Sequence, residues 1–245
     1  MFPFASLLTT LLLALSITAS PVEVRNSPIT LPIARKLNLQ DGTINLLQHD
    51  QDRAAALKDP DTSSLVRRAG SVPVINEVVS YIAQVSVGSP ATTYNLIVDT
   101  GSSNTWVGAG TKYVKTSTSQ STGQAVSVSY GSGSFSGTEY TDTVTLGSGL
   151  TITKQSIGVA SRSTGFSGVD GILGIGPLDL TEGTLTNAPT TTIPTVTQNL
   201  YTQGIVSAVV VGVSFEPTTS QKVTNGELTF GGTDSTKYTG TIAYV

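Results

Sequence analysis

Cysteine is absent from this 245-residue chain, which removes disulfides, thiolate metal sites and cysteine nucleophiles together. Histidine occurs once, at His49. Charged residues make up only 12% of the sequence, the formal net charge is −3 and the basic residues are scattered. Nucleic acid, which calls for a basic stripe, is therefore not an expected partner. Long apolar runs are also missing. Leu7 to Ile17 falls short of the ~20 residues that span a bilayer as a helix, and Ile205 to Val213 is short and lies between turns, so no membrane span is expected.

What is present is glycine (25 residues), much serine and threonine, and valine-rich runs between turn signals. That profile predicts one or two domains, all-β, built from many short strands. The first twenty residues, MFPFASLLTTLLLALSITAS, place small residues after an apolar stretch and read as a signal peptide, although a basic beginning is missing. A secreted protein, or a vacuolar one reached by the secretory pathway, is expected. Of the chain's 13 basic and 16 acidic residues, seven and six fall in Pro21–Arg68, leaving six and ten for Ala69–Val245. This charged stretch, with a candidate helix over Leu39–Leu57, ends in the dibasic pair Arg67–Arg68. The composition changes at that same place, so residues 21–68 read as a removable pro-segment and 69–245 as the body.

His49 lies before this boundary, so the body has neither histidine nor cysteine. Ser–His and Cys–His catalysis are excluded there, as are ordinary zinc sites, and carboxylates remain as the acid–base groups. Tyr81–Val87 and Tyr94–Val98 read as strands, and Gln124–Tyr130 alternates with Val126, Val128 and Tyr130 on one face. It meets a glycine-rich tip, Gly131-Ser132-Gly133-Ser134, and returns through Phe135–Leu146 as a hairpin. Ile205–Phe215 reads as a buried strand, Glu227–Phe230 as another, and Thr116–Thr122 as an exposed loop.

The glycines of Gly131–Gly137 and of GILGIG (Gly171–Gly176) match no nucleotide-binding fingerprint and are read as permitting turns and close backbone approach. Asp99 stands apart. It ends an apolar run and opens the turn Asp99-Thr100-Gly101-Ser102, whose backbone N–H and hydroxyl groups offer donors to a carboxylate. On spacing alone this is either a structural Asx-turn or a functional carboxylate.

The ordered set DTGSSNTWVG (Asp99–Gly108), YGSGSFSG (Tyr130–Gly137), DGILGIGP (Asp170–Pro177) and ELTFGGTDSTKYTG (Glu227–Gly240) resembles the pepsin-like aspartic proteases in a fungal version. The resemblance covers Val79–Val245 and implies the N-terminal lobe of such an enzyme, an all-β lobe of barrel-like antiparallel sheets with a flap hairpin. It implies that Asp99 is the catalytic aspartate of this lobe, supported by Thr100, Gly101 and the Ser102 hydroxyl. Tyr130, Gly131 and Ser132 match the flap that lies on an extended peptide or unfolded protein substrate, and Trp106 the indole that partners the flap tyrosine. Asp170 matches a structural position. Arg35–Lys36 resembles the basic stretch by which the pro-segment masks the catalytic carboxylates. The implied chemistry is peptide hydrolysis by water activated between two carboxylates, at acid pH, with no cofactor and no metal.

One departure is plain. The family takes its second aspartate from a D-T/S-G motif in a C-terminal lobe, and Asp142, Asp170, Asp179 and Asp234 all fail that motif. Two readings stay open: a secreted acid endopeptidase represented by its pro-segment and first lobe, or a catalytically inactive, peptide-binding half-protease. A homodimer enters only as a way for such a half-protease to bring two copies of Asp99 together.

Overall fold

The computed structural model describes residues 29–36, 80–131, 133–216 and 224–244. The expected signal peptide, the candidate helix over Leu39–Leu57 and the Arg67–Arg68 pair lie outside them. The strands are β1 (Ile29–Lys36), β2 (Ser80–Val87), β3 (Thr92–Asp99), β4 (Trp106–Val107), β5 (Gln120–Tyr130), β6 (Gly133–Gly147), β7 (Leu150–Thr164), β8 (Gly171–Gly174), β9 (Val211–Phe215) and β10 (Thr224–Phe230). They form one sheet in the order β5-β6-β7-β4-β8-β3-β2-β1-β10-β9. A further pairing of β6 with β2, Ser86 against Thr145 and Val87 against Val144, closes β6-β7-β4-β8-β3-β2 into a ring. The fold is the all-β, barrel-like lobe that the sequence predicts.

Inside the ring, alternation does the sorting. Tyr81, Ala83, Val85 and Val87 of β2 are buried, as are Tyr94 and Leu96 of β3 and Val144 and Leu146 of β6. A second apolar cluster under the hairpin gathers Trp106, Val126, Phe135, Phe166, Val169 and Ile172. Most pairings are antiparallel; β8 runs parallel to β3, with Asp99 opposite Gly174. Glycine makes this crossing feasible. A Cβ on Gly171 would sit 2.0 Å from the Trp106 carbonyl oxygen, and one on Gly174 would sit 2.5 Å from the Ser103 carbonyl carbon.

β1 belongs to the expected pro-segment, yet it is an interior strand of the sheet. It pairs with β10 on one side and β2 on the other, and contributes Leu31 and Ile33 to the core. Beyond the ring, the expected buried strand over Ile205–Phe215 is shorter and more exposed. Only Val211–Phe215 is extended, and among the described strands β9 pairs with β10 alone, at the edge of the sheet. Val209, Val210, Val213 and Phe215 are accordingly exposed. A short helix not foreseen from composition, α1 (Val196–Thr202), opens on a capping box in which Thr195 and Gln198 serve each other's backbone N–H.

The Thr116–Thr122 stretch departs from a plain exposed loop. Its last three residues already belong to β5, and Thr118 and Ser119 turn their hydroxyls to the buried carboxylate of Asp142.

Candidate functional site

Asp99 ends β3 where the parallel pairing with β8 gives out, its carbonyl accepting from the Ile175 N–H at 3.0 Å. The next residues turn back over it. The Gly101 N–H donates to Oδ1 at 2.9 Å and the Ser102 hydroxyl to Oδ2 at 2.5 Å, so each carboxylate oxygen has one donor. The turn is itself pinned from below: the Gly176 N–H donates to the Ser102 carbonyl at 2.9 Å and the Ser103 hydroxyl to the Pro177 carbonyl at 2.5 Å. Asp99 is half-buried and Thr100 and Gly101 are exposed, whereas Ser102 through Val107 are buried. The result is a fixed carboxylate at the mouth of a rigid loop. Asp170, by contrast, is engaged structurally; its carboxylate accepts from the N–H of Asn95 at 2.8 Å and of Thr111 at 2.7 Å.

Tyr130 arrives from the far end of β5. Its hydroxyl accepts from the Trp106 indole N–H at 2.9 Å. Burial pushes the phenol well above its ordinary pKa and the nearby Asp99 charge adds to that push, while hydrogen bonding with Trp106 and Ser102 opposes it. Asp99, Ser102, Tyr130 and Trp106 are thereby brought into one electrostatic neighbourhood. Gly131, at the tip, has open space around it; Ser132 lies outside the described residues.

Sequence reading missed what holds the tryptophan. Phe135 stacks on Trp106 at a ring separation of 4.3 Å and an angle of 10°, and Phe166 meets both Trp106 (4.9 Å) and Tyr130 (5.6 Å) edge-on. Inward parity in β6 is the signal that marks Phe135; nothing local marks Phe166, which comes from the loop after β7.

Arg35 and Lys36 belong to β1. β1 places their backbone opposite Tyr81 and Ser80 of β2, whose Ile82 pairs with Ile97 of β3. They therefore lie at the Asp99 end of the sheet, two strands or roughly 10 Å across. Arg67 and Arg68 lie outside the described residues.

A family model described as eukaryotic aspartyl protease matches residues 80–245. The chain belongs to this family. Polyporopepsin of Irpex lacteus is 70% identical over 176 residues, which is 72% of this chain and 52% of that protein. Rhizopuspepsin-2 of Rhizopus niveus is 33% identical over 252 residues, covering 95% and 61%. The crystal structure of the aspartic proteinase from Irpex lacteus aligns with a TM-score of 0.65 at 70% identity, over 66% of this chain and 48% of that one. The chain thus spans about half to three-fifths of the relatives' length. The similar proteins also include secreted aspartic protease 3 of Candida albicans, 32% identical over 198 residues. Among the described residues, no helix is long and apolar enough to cross a membrane.

Proposed function

We propose that this chain carries one of the two carboxylates of a secreted acid endopeptidase, and that Asp99 is that carboxylate. The observation that carries the reading is the disposition of Asp99, held through both oxygens by Gly101 and Ser102 within reach of the Tyr130–Trp106 pair. A general base must keep a fixed lone pair toward its water, and a carboxylate with one short donor on each oxygen has been oriented without being enclosed. The β5–β6 hairpin closes over the same place, so Tyr130 and the open tip at Gly131 act as the flap. An extended peptide beneath it would be shielded from water and would meet backbone donors.

Asp99 alone cannot complete the reaction. Two carboxylates near each other share one proton because both cannot ionise cheaply; the ionised one activates water while the protonated one supplies the acid. The second group has to come from a D-T/S-G segment outside this sequence or from another copy. The pro-segment reading is supported by β1, whose basic end lies at the Asp99 end of the sheet. In this reading Arg35 and Lys36 mask the carboxylate until cleavage at Arg67–Arg68, and N-terminal sequencing of secreted protein gives a start near Ala69.

The deciding experiment measures cleavage of an unfolded protein at about pH 3–5, the range a shared proton implies, with molecular mass followed by light scattering. The monomer is expected to be inactive, and activity to appear when a D-T/S-G-bearing lobe or a second copy completes the site. Asp99→Asn abolishes that activity. Cleavage by a confirmed monomer, or cleavage that survives Asp99→Asn, overturns the proposal.

A further inference from the structure

Glu139 is a carboxyl group that the site just described does not use, and its setting is unusual. It sits in the middle of β6, opposite Gly158 of β7, and is only 4% exposed. One oxygen, Oε1, accepts from the Ser156 hydroxyl at 2.7 Å; the other, Oε2, is buried with no hydrogen-bond partner. A carboxylate in that position would bury a charge with one oxygen unpartnered, at a cost of several kcal/mol. The neutral acid has a smaller cost.

Among the described residues, no cation is paired with Glu139. On β7, Lys154 and Arg162 are exposed. On β5, Tyr130 is engaged with Trp106 at the flap end. On β6 itself, Asp142 lies on the opposite face, held by other donors, and Tyr140 has the Lys115 ammonium over its ring at 5.0 Å. On β2, Tyr81 donates to the Glu216 carbonyl. Asp179 and Glu182 in the turn after β8, and Tyr201 on α1, are exposed. The single described ion pair, Lys237 with Glu216, lies elsewhere.

Glu139 shares its face of β6 with Phe135, four residues earlier. Phe135 stacks on Trp106, and Trp106 holds the Tyr130 hydroxyl. We propose that Glu139 is an acid-dependent lock beneath the flap: as a neutral acid it lets β6 pack against β7, and on ionising it loosens that packing and releases the Phe135–Trp106–Tyr130 stack. Burial supports this by pushing the Glu139 carboxyl up to about 7, with the Ser156 hydroxyl pulling weakly the other way. The sign follows directly. A carboxyl raised in the folded state keeps its proton there after the unfolded chain has lost it, so stability falls as pH climbs from the ordinary glutamate range to about 7. The lock is thus closed in acid and open at neutrality, independently of whether the chain hydrolyses peptides.

Trp106 is the chain's single tryptophan, so its fluorescence reports on this stack alone. The test follows Trp106 emission and Tm of the full chain from about pH 4 to about pH 8, a range bracketing the ordinary and raised carboxyl values. The wild type should show an emission change centred near neutrality and a falling Tm; Glu139→Gln should lose the emission change and keep most of the Tm, while Asp99→Asn should retain both changes. A transition that persists in Glu139→Gln, vanishes in Asp99→Asn, or is missing from the wild type overturns the proposal. Should Glu139→Gln not fold, carbon-13 NMR of glutamate-labelled wild type and Ser156→Ala decides. One of the six glutamates should titrate near neutrality and move further up in Ser156→Ala. Six ordinary titrations, or a high one indifferent to Ser156, overturn it equally.

Discussion

Asp142 and Glu139 are three residues apart on one strand, on opposite faces, and both are buried. Asp142 accepts from the Tyr113 hydroxyl at 2.5 Å, the Ser119 hydroxyl at 2.7 Å, the Thr118 hydroxyl at 2.5 Å and the Thr143 N–H at 2.8 Å. Glu139 accepts from Ser156 alone. Burial pushes both upward as the largest single influence, yet Asp142 ends below its ordinary value because its donors together outweigh burial, and Glu139 ends above. Burial therefore does not settle the charge of a carboxyl in this fold; the number of donors does. The two groups also bracket a pH window. The Asp142 contribution is complete above the unfolded aspartate value and is lost as pH falls through its depressed folded one. The Glu139 contribution is complete in acid and is lost on the way up to about 7.

The contrast is broken most severely by Asp142→Ala, which strands three hydroxyls and an N–H in and around the core. Urea unfolding near neutral pH should show a loss of about 4 kcal/mol. The next largest effect has the opposite sign. Glu139→Gln should be near neutral at about pH 4 and should stabilise by about 3 kcal/mol above pH 7, the worth of moving a carboxyl from 4.5 to about 7. A gain independent of pH would contradict the assignment. Tyr113→Phe removes one donor of four from Asp142 and should cost about 2 kcal/mol, with the Asp142 contribution failing at a higher pH than in the wild type. Smallest is Ser156→Ala, about 1 kcal/mol or less, read chiefly as a rise in the pH at which Trp106 emission changes.

Much of this was legible in the residues, and the limits have physical causes. The strand run into Asp99, the β5–β6 hairpin and the donors in the Asp99 turn are local features, so period-two patterning and turn chemistry expose them. The fate of Glu139 was not local. Its parity with Phe135 marks an inward face, but only the arrival of Gly158 from β7, with no side chain to offer, leaves Oε2 without a donor. The β9 run differs from the expected buried strand for a similar reason. Valine content predicts extended chain, not whether both faces or both edges are covered, and among the described strands β9 has one neighbour where a buried strand has two. Helix α1 was marked by Thr195 and Gln198 at capping-box spacing, a signal hidden among many threonines.

In the proposed processing, β1 would change character. While it is joined to the body through residues 37–79, closing the sheet between β2 and β10 is an intramolecular event that dilution cannot touch. The proposed cut at Arg67–Arg68 would leave every hydrogen bond of β1 in place and alter only its molecularity: the strand would become a bound peptide, held by two ladders and by Leu31 and Ile33. Its occupancy then follows a dissociation constant and the protein concentration. Severing the chain and vacating the sheet would thus be separate steps, the first set by the cleaving peptidase and the second by dilution.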